Sequence, residues 1–204
     1  LVVGVTVVGF GTSAPELATS LEAVYSNAPG LALGNIVGSN IANVLLILGL
    51  TALLAPVRCQ PRTAIRDGLL MVAAGALLAA LAWGGVIGRL DGVSDTLIGL
   101  TIVALGTSLP ELATSIAAAI RRQPDIAYGN VVGSNVFNLL GISGVTALAV
   151  PIDVPPELVS FDIPVVIAVM AAMAVFAFTG GRISRAEGGV LVACYVAYMA
   201  FLII

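Results

Sequence analysis

Long apolar runs, separated by short polar breaks, make up most of the chain. A helix that crosses a bilayer needs roughly 20 mostly apolar residues, and runs of about that length recur throughout. Gly, Pro, Asn, Asp and Arg cluster in the breaks between them, as is typical of turns. The pattern therefore predicts seven membrane-spanning helices, at Leu1–Val24, Leu31–Leu54, Ile65–Trp83, Val93–Ile120, Ile126–Val150, Leu158–Phe178 and Gly188–Ile204.

Composition points to the same environment. Of 204 residues, 59% are hydrophobic and only 9% are charged, whereas a soluble domain carries about 25% charged residues. So few charges cannot cover a water-facing surface, so the lipid bilayer is the expected partner and no nucleic acid is expected. Cys59 and Cys194 lie far apart and suggest neither a disulfide nor a metal site. The first residues are already apolar and lack the features of a signal peptide, so we expect an N-terminal segment to be missing.

The arginines predict how the chain is oriented in the membrane. The loops after the second, fourth and sixth spans hold seven of the eight basic residues, all of which are Arg. By the positive-inside rule these loops are cytoplasmic, so the chain starts on the cytoplasmic side and ends outside. The seven are Arg58, Arg62, Arg66, Arg121, Arg122, Arg182 and Arg185. The other loops hold Arg89 with the acids Asp91, Asp153, Glu157 and Asp162.

The chain contains a partial copy of itself. Gly11–Ser20 recurs as Gly106–Ser115, and Gly34–Asn43 recurs as Gly129–Asn138, both with an offset of 95 residues. The copies open in the first and fourth spans, which are an odd number of spans apart and therefore cross the membrane in opposite directions. Secondary transporters are commonly built from such inverted repeats, with the substrate site near the midplane where the repeats meet. We predict two repeat units, residues 1–92 and 93–204.

Glu16 and Glu111 occupy equivalent places in the two copies, inside apolar spans. A charge at the bilayer centre costs about 2.5–3.5 kcal/mol on insertion scales, and such residues mark ion pathways. No Arg falls within the core of a predicted span, so the two carboxylates imply a bound cation or shared protons. The alternative is a pair of protonated glutamates with only a structural role, hydrogen-bonded between helices.

The residues around the glutamates favour a broken helix and a hard cation. Pro15 and Pro110 lack an N–H and clash with a carbonyl one turn earlier, so backbone oxygens near them are left free. Gly/Pro interruptions at matching places in two halves indicate a transporter site. All the nearby ligand atoms are oxygens, which suits calcium, with its 6–8 oxygen ligands, and sodium. The oxygen-bearing side chains are Thr12, Ser13, Ser39 and Asn43 in the first copy, and Thr107, Ser108, Ser134 and Asn138 in the second.

The second block has another interpretation, because Gly34, Gly38, Gly129 and Gly133 have the Gly-x-x-x-Gly spacing that lets helices pack closely in lipid. Within this block, Asn35, Asn40, Asn130 and Asn135 either satisfy neighbouring backbone or contact ions, and the sequence leaves both options open.

Both blocks, in both copies and in order, resemble the alpha-1 and alpha-2 repeats of the sodium/calcium-exchanger branch of the calcium/cation antiporter superfamily. The resemblance implies an all-α, polytopic transmembrane bundle with inverted repeats and helices broken at the midplane. It also implies sodium/calcium exchange by alternating access, with Ca²⁺ and Na⁺ as transported ions and no cofactor. Glu16 and Glu111 correspond to the shared carboxylates, and Asn43 and Asn138 to the central polar position. Backbone carbonyls of Thr12 and Thr107 correspond to calcium ligands, and Ser13, Ser39, Ser108 and Ser134, helped by the carbonyls of Gly9 and Ala104, to sodium ligands.

The sequence departs from related branches at two places. Proton-coupled exchangers carry an acid where this chain has Gly38 and Gly133, and potassium-dependent members typically have Asp where it has Asn138. The family has ten spans, and here the first helix and two middle helices have no counterpart. A proton-coupled or other calcium antiporter, an uncoupled cation pathway, and a structural protein completed by another chain therefore remain alternatives.

No enzyme is expected, since there is no His and no nucleophile paired with a base. The expected location is a prokaryotic inner membrane; the sequence sets no oligomeric state, and a monomer is one option.

Overall fold

The fold is almost entirely helical. The computed structural model describes residues 7–59, 61–83, 93–150, 152 and 154–203. Among the described residues, π-helical segments at Ala42–Leu48, Gly99–Val103, Phe137–Ile142 and Leu158–Asp162 continue directly into α-helices. The α-helices are α1 Gly9–Thr12, α2 Ala14–Tyr25, α3 Pro29–Ile41, α4 Gly49–Leu54, α5 Pro61–Trp83, α6 Val93–Ile98, α7 Ala104–Thr107, α8 Leu109–Ile120, α9 Pro124–Val136, α10 Ser143–Ala149, α11 Ile163–Gly180 and α12 Arg185–Ile203. Two short strands, β1 Val57–Arg58 and β2 Arg182–Ile183, pair antiparallel.

The helices confirm a polytopic transmembrane bundle. Within the described residues, five helical segments are long and apolar enough to cross a membrane, and a bent pair, Thr96–Thr107 with Leu109–Ile120, makes a sixth with a bend of 42°. The five are Pro29–Leu54, Arg62–Ala80, Pro124–Ala149, Leu158–Gly180 and Arg185–Ile203. The predicted first span, Leu1–Val24, lies partly outside the described residues, and its described part forms α1 and α2.

Helix boundaries differ from the predicted spans by a few residues for a physical reason. The second and fifth spans begin at Pro29 and Pro124, earlier than the apolar runs that predicted them. Proline suits the first helical position, because its missing N–H has no partner there in any case. Large apolar side chains such as Ile102 (74% exposed) and Leu148 (90% exposed) lie on the outside, where lipid is their natural solvent.

Glycines bring the two repeats into backbone contact. A methyl group added at Gly38 of α3 would come within 2.6 Å of the Leu100 carbonyl oxygen, and one at Gly34 within 2.6 Å of the Thr96 carbonyl oxygen. In the equivalent contact, a methyl group at Gly9 of α1 would come within 2.8 Å of the Ser134 amide nitrogen. Helices in membranes associate through small residues of this kind. The second block of each repeat therefore packs on the segment just before the first block of the other.

A second inter-repeat contact joins α5 to α11. A methyl group at Gly68 would collide with Ala174, and one at Gly75 would lie 3.0 Å from Cγ1 of Ile167. Because residue numbers rise on one helix as they fall on the other, the two helices run antiparallel. Equivalent helices of an inverted repeat cross the membrane in opposite directions, and α5 and α11 do so. The division into units 1–92 and 93–204 stays a prediction.

Candidate ion-binding site

The two glutamates lie just after breaks in their helices. Ser13 separates α1 from α2 and Ser108 separates α7 from α8, with φ/ψ angles of −84°/10° and −81°/5°. Pro15, in the first turn of α2, has no N–H to offer the carbonyl one turn earlier, so the helix restarts rather than continues. Glu16 and Glu111 follow in the first turns of α2 and α8, where the positive end of the helix dipole favours a carboxylate. Both glutamates are fully buried.

Each glutamate is held by a serine of the opposite repeat. The Ser13 hydroxyl donates to Oε1 of Glu111 over 2.8 Å, and the Ser108 hydroxyl donates to Oε1 of Glu16 over 3.3 Å. The structure therefore brings the predicted pairs Glu16/Glu111 and Ser13/Ser108 into one buried centre between the repeats.

Asn35 holds the backbone of α2 in place at Glu16. Its Nδ2 donates to the Glu16 carbonyl oxygen over 3.2 Å and to the Ser20 hydroxyl over 3.0 Å. Its Oδ1 accepts a 3.0 Å hydrogen bond from the Thr107 hydroxyl of the opposite repeat. The side chain is thus bonded to protein groups at both ends of its amide.

Asn130 does the same for the second repeat. Its Nδ2 donates to the Glu111 carbonyl oxygen over 3.1 Å and to the Ser115 hydroxyl over 3.0 Å, and its Oδ1 accepts from the Thr12 hydroxyl over 3.1 Å. The sequence leaves open whether these asparagines satisfy neighbouring backbone or contact ions. In the structure, the amides of Asn35 and Asn130 are bonded to protein groups. The hydroxyls of Thr12 and Thr107 act as their cross-repeat partners.

Four buried side-chain oxygens of the predicted site residues have no partner among the described residues, and neither has Oδ1 of Asn40 in the same block. Within the described residues, Oε2 of Glu16, Oε2 of Glu111, Oδ1 of Asn43 and Oδ1 of Asn138 are buried and accept no hydrogen bond. Native proteins pair the large majority of buried polar atoms, so an unpaired one calls for a physical explanation. All four are acceptors of the kind that hard cations prefer. A cation bound between the repeats would draw on acceptors of this kind.

The second-block side chains connect the asparagines to the serines. Nδ2 of Asn138 donates to the Ser39 hydroxyl over 3.4 Å, and Nδ2 of Asn43 donates to Oδ1 of Asn135 over 3.3 Å. Ser39 in turn donates to the Asn35 carbonyl oxygen. The two halves therefore differ here. Asn138 donates to Ser39 of the opposite repeat, whereas Asn43 donates to Asn135, which also belongs to the opposite repeat.

Gly9 and Ala104, whose carbonyl oxygens are predicted sodium ligands, differ in one contact across the repeat interface. The Ser134 hydroxyl lies 3.4 Å from the Gly9 carbonyl oxygen and 3.4 Å from the Thr12 hydroxyl, so these three predicted residues meet across the repeat interface. Both carbonyl oxygens also accept hydrogen bonds from their own segments: Ala104 from the Ser108 amide over 3.1 Å and the Thr107 hydroxyl over 3.3 Å, and Gly9 from the Ser13 amide and the Thr12 hydroxyl, each over 3.3 Å. The structure thus places all twelve predicted residues along one interface.

Charge at this centre comes from the glutamates alone. In the described part of the chain, no three His, Cys, Asp or Glu side chains gather as a metal cluster, and the only ion pair joins Arg66 to Asp67. A cation at this centre would be coordinated by two carboxylates together with hydroxyl, amide and carbonyl oxygens.

Two further buried acids escaped the sequence analysis. Asp67 is 2% exposed and Asp162 is 4% exposed, and they are related by the same offset of 95 residues. Arg66 pairs with Asp67 at 2.7 Å, and the Tyr198 hydroxyl donates to Asp162 over 2.8 Å. The assignment of Asp162 to a loop was wrong, since it ends the π-helical segment that leads into α11. Extending the repeat comparison into the third span of each half would have found this pair.

Inverted repeats, helices broken at matching places and a buried acidic pair between them define the class of ion-coupled secondary transporters. The chain belongs to the sodium/calcium exchanger protein family, whose model matches residues 1–94 and 85–204.

Known relatives match almost the whole chain. Sodium/calcium exchanger MaX1 of Methanosarcina acetivorans is 30% identical, and the match covers 98% of this chain and 88% of the relative. Inner membrane protein YrbG of Escherichia coli is 28% identical, with 99% of this chain and 86% of the relative covered. A solved structure of the sodium-calcium exchanger NCX_Mj superimposes with a TM-score of 0.82 at 27% identity and covers 98% of this chain and 86% of that one.

The MaX1 match also bears on the number of helices. It runs over 308 positions, whereas this chain has 204 residues. At least 104 of those positions (308 less 204) therefore have no counterpart here. The two family-model matches overlap at residues 85–94, the place where the sequence analysis expects two middle helices to have no counterpart.

Proposed function

We propose that this protein exchanges sodium for calcium across the membrane, at a site built around Glu16 and Glu111. The observation that carries the proposal is the set of four buried, unpaired acceptor oxygens on Glu16, Glu111, Asn43 and Asn138. Membership of the sodium/calcium exchanger family supports the same conclusion.

The charges of the site fit both ions. Two carboxylates carry two negative charges, which one Ca²⁺ or two Na⁺ balance. Calcium takes 6–8 oxygens, and the unpaired carboxylate and amide oxygens supply four. Backbone carbonyls of Thr12 and Thr107 are proposed to complete the calcium shell. For sodium we propose the hydroxyls of Ser13, Ser39, Ser108 and Ser134, with the carbonyls of Gly9 and Ala104.

Exchange follows from shared ligands and inverted symmetry. If calcium and sodium use the same carboxylates, they cannot occupy the site together, so one ion leaves before the other binds. Repeats of opposite orientation give two related states, each open to one side of the membrane. The proposed setting is a prokaryotic plasma membrane, the proposed partners are the bilayer and the two ions, and no cofactor takes part.

An uncoupled cation pathway is the second candidate. The observation that favours it is the shorter chain, which lacks at least 104 positions of the MaX1 match (308 less 204). The same oxygens could bind ions while the helices that couple the two fluxes are absent. Such a pathway would pass calcium down its own gradient and would not depend on sodium.

Transport by the purified chain in liposomes separates these candidates. Vesicles are loaded with sodium and diluted into sodium-free buffer with calcium, and calcium uptake is followed for the wild type, Glu16→Gln and Glu111→Gln. Glu22→Gln is the matched control, because Glu22 is an exposed acid on the same helix as Glu16.

We expect uptake that needs the outward sodium gradient, is lost in both site variants and persists in Glu22→Gln. Uptake that ignores sodium would favour the uncoupled pathway, and uptake driven by a pH gradient would favour proton coupling. Sodium-driven uptake that survives both Glu16→Gln and Glu111→Gln would rule out the two-glutamate site.

A further inference from the structure

A cavity opens at the end of the bundle that the arginines predict to be cytoplasmic. It has a volume of 290 Å³ and lies between the end of α4 and the turn that joins α8 to α9, so both repeats contribute to its wall. Ala55 and Arg58 line it from the first repeat, and Ala119 and Arg122 line it from the second. The cavity is separate from the candidate ion-binding site.

The arginines around this cavity have no acidic partners. In the part of the chain that the structure describes, the one ion pair is that of Arg66 with Asp67, so Arg58 and Arg122 both remain unneutralised. Arg58 also lies directly opposite Arg182 in the β1–β2 ladder. Like charges opposite each other destabilise a strand pair. An anion bound beside Arg58 would offset that repulsion.

The inverted repeat provides an internal comparison for Arg122. The turn between α2 and α3 is closed by the Ala28 amide donating to the Ala23 carbonyl oxygen over 2.8 Å, and the turn between α8 and α9 has the equivalent 2.8 Å bond. In both turns one non-glycine residue has a positive φ: 59° at Asn27 and 56° at Arg122. Asparagine tolerates this conformation well, whereas Arg has no such preference. The second repeat thus keeps an arginine at a position where its backbone is disfavoured.

The same comparison explains why the cavity is open. The residues equivalent to Ala119 and Ala55 at an offset of 95 are Val24 and Val150. At that end of the bundle Val24 is buried and Val150 packs against its cluster, so larger side chains fill the corresponding space. The residue equivalent to Arg58 is Asp153, which lies outside the described residues. The two alanines at the cavity and Arg122 therefore stand where the other end of the bundle has two valines and Asn27.

We propose that this cavity binds a phosphate group, carried by an anionic phospholipid of the adjoining leaflet or by a soluble phosphate. Guanidinium groups bind phosphate oxygens through paired, charge-assisted hydrogen bonds, and arginines at the cytoplasmic surface meet anionic lipid headgroups. The positive-inside rule alone explains why arginines occupy this side. It explains neither the open cavity nor an arginine at a positive φ, since any loop position would serve topology equally well.

A binding measurement with variants taken from the chain's own other half tests the proposal. The full chain in neutral detergent is titrated with dioctanoyl phosphatidylglycerol, with inorganic phosphate, and with dioctanoylglycerol, which lacks a phosphate. Arg122→Asn introduces the residue of the equivalent turn, and Ala119→Val fills the cavity without changing the charge. Arg62→Gln removes an exposed arginine that does not line the cavity, and is the matched control.

We expect phosphatidylglycerol to bind the wild type, and Arg122→Asn to weaken binding roughly tenfold or more, as loss of a charge-assisted contact predicts. Ala119→Val should weaken binding by a similar factor, because its larger side chain occupies the space that the phosphate needs. Arg62→Gln should leave binding unchanged, and dioctanoylglycerol should not bind. If inorganic phosphate binds as tightly as the lipid, the ligand is a soluble anion; if the lipid alone binds, it is a headgroup.

Three results would overturn the proposal. These are no binding of either phosphate compound, equal weakening by Arg62→Gln and Arg122→Asn, and unchanged binding in Ala119→Val. Thermal unfolding of each variant checks that it is folded, and Arg122→Asn should be at least as stable as the wild type because Asn suits the positive φ. The measurement does not involve calcium or sodium, so its outcome is independent of the proposed exchange.

Discussion

Ser13 donates a 2.8 Å hydrogen bond to the Glu111 carboxylate, although the two residues lie 98 positions apart and belong to opposite repeats. The equivalent bond from Ser108 to Glu16 measures 3.3 Å. A serine at each helix break therefore orients the carboxylate of the other repeat. One oxygen of each glutamate is held in this way, and the second has no hydrogen-bond partner.

Removing the Ser13 hydroxyl should weaken calcium binding. Hydrogen bonds to charged groups contribute about 1.5–3 kcal/mol, and a carboxylate that loses its orienting donor binds an ion less well. We expect Ser13→Ala to raise the calcium dissociation constant at least ~10-fold, measured by titration calorimetry on the purified protein. Ser26→Ala, an exposed serine at the end of α2, is the control. Equal affinities in the two variants would contradict the orienting role of Ser13.

Asn35 should prove essential for stability. Its amide bonds the Glu16 carbonyl, the Ser20 hydroxyl and the Thr107 hydroxyl. Truncation leaves these buried groups unpaired, and each such loss costs about 1–3 kcal/mol. We expect Asn35→Ala to lower the thermal unfolding temperature in detergent clearly, in calcium-free buffer as well as with calcium. A normal unfolding temperature combined with lost calcium binding would instead make Asn35 an ion ligand.

Two glycines of the repeat blocks should respond oppositely to the same substitution. A methyl group at Gly38 would come within 2.6 Å of the Leu100 carbonyl oxygen, whereas one at Gly11 meets nothing within 4 Å. Overpacking a tight contact costs about 1–3 kcal/mol, while Ala in place of Gly favours a helix by up to ~1 kcal/mol. Thermal unfolding should show Gly38→Ala destabilised and Gly11→Ala unchanged or stabilised. A stable Gly38→Ala protein would argue against the backbone contact between α3 and the opposite repeat.

Cys59 should resist alkylation in the folded protein. It follows β1 and is 7% exposed, and burial raises the pKa of its thiol to about 12. The reactive thiolate is therefore scarce at pH 8, and the side chain is also shielded. Mass spectrometry after maleimide treatment should find Cys59 unmodified in detergent and modified once the chain is unfolded in SDS. Rapid labelling of the folded protein at pH 8 would show that this region opens readily.

Sequence patterns were enough for the spans and for the pairing of the glutamates. Apolar runs located the helices, and the 95-residue offset paired Glu16 with Glu111, because both features depend on local composition and on duplication. What the sequence could not distinguish was whether Asn35 bonds protein or ion. That choice depends on which groups of the other repeat come within reach, which is a matter of tertiary packing.

The differences between the two halves could not be predicted from the sequence either. Asn43 and Asn138 have identical places in their repeats, yet one amide reaches Asn135 and the other reaches Ser39. Asp162 was counted with the loop acids although the predicted span Leu158–Phe178 contains it, and the π-helical segment places it in the bundle beside Tyr198. Both outcomes are set by contacts between helices that are distant in sequence.

Direct calcium binding tests the central claim, that Glu16 and Glu111 hold the transported ion. Radiolabelled calcium is bound to the purified chain, and sodium is then added as a competitor. We predict saturable binding that sodium displaces, that Glu16→Gln and Glu111→Gln each abolish, and that the control Glu22→Gln retains. Calcium binding of unchanged affinity in Glu16→Gln and Glu111→Gln would contradict the account, because the ion would then rest on other groups.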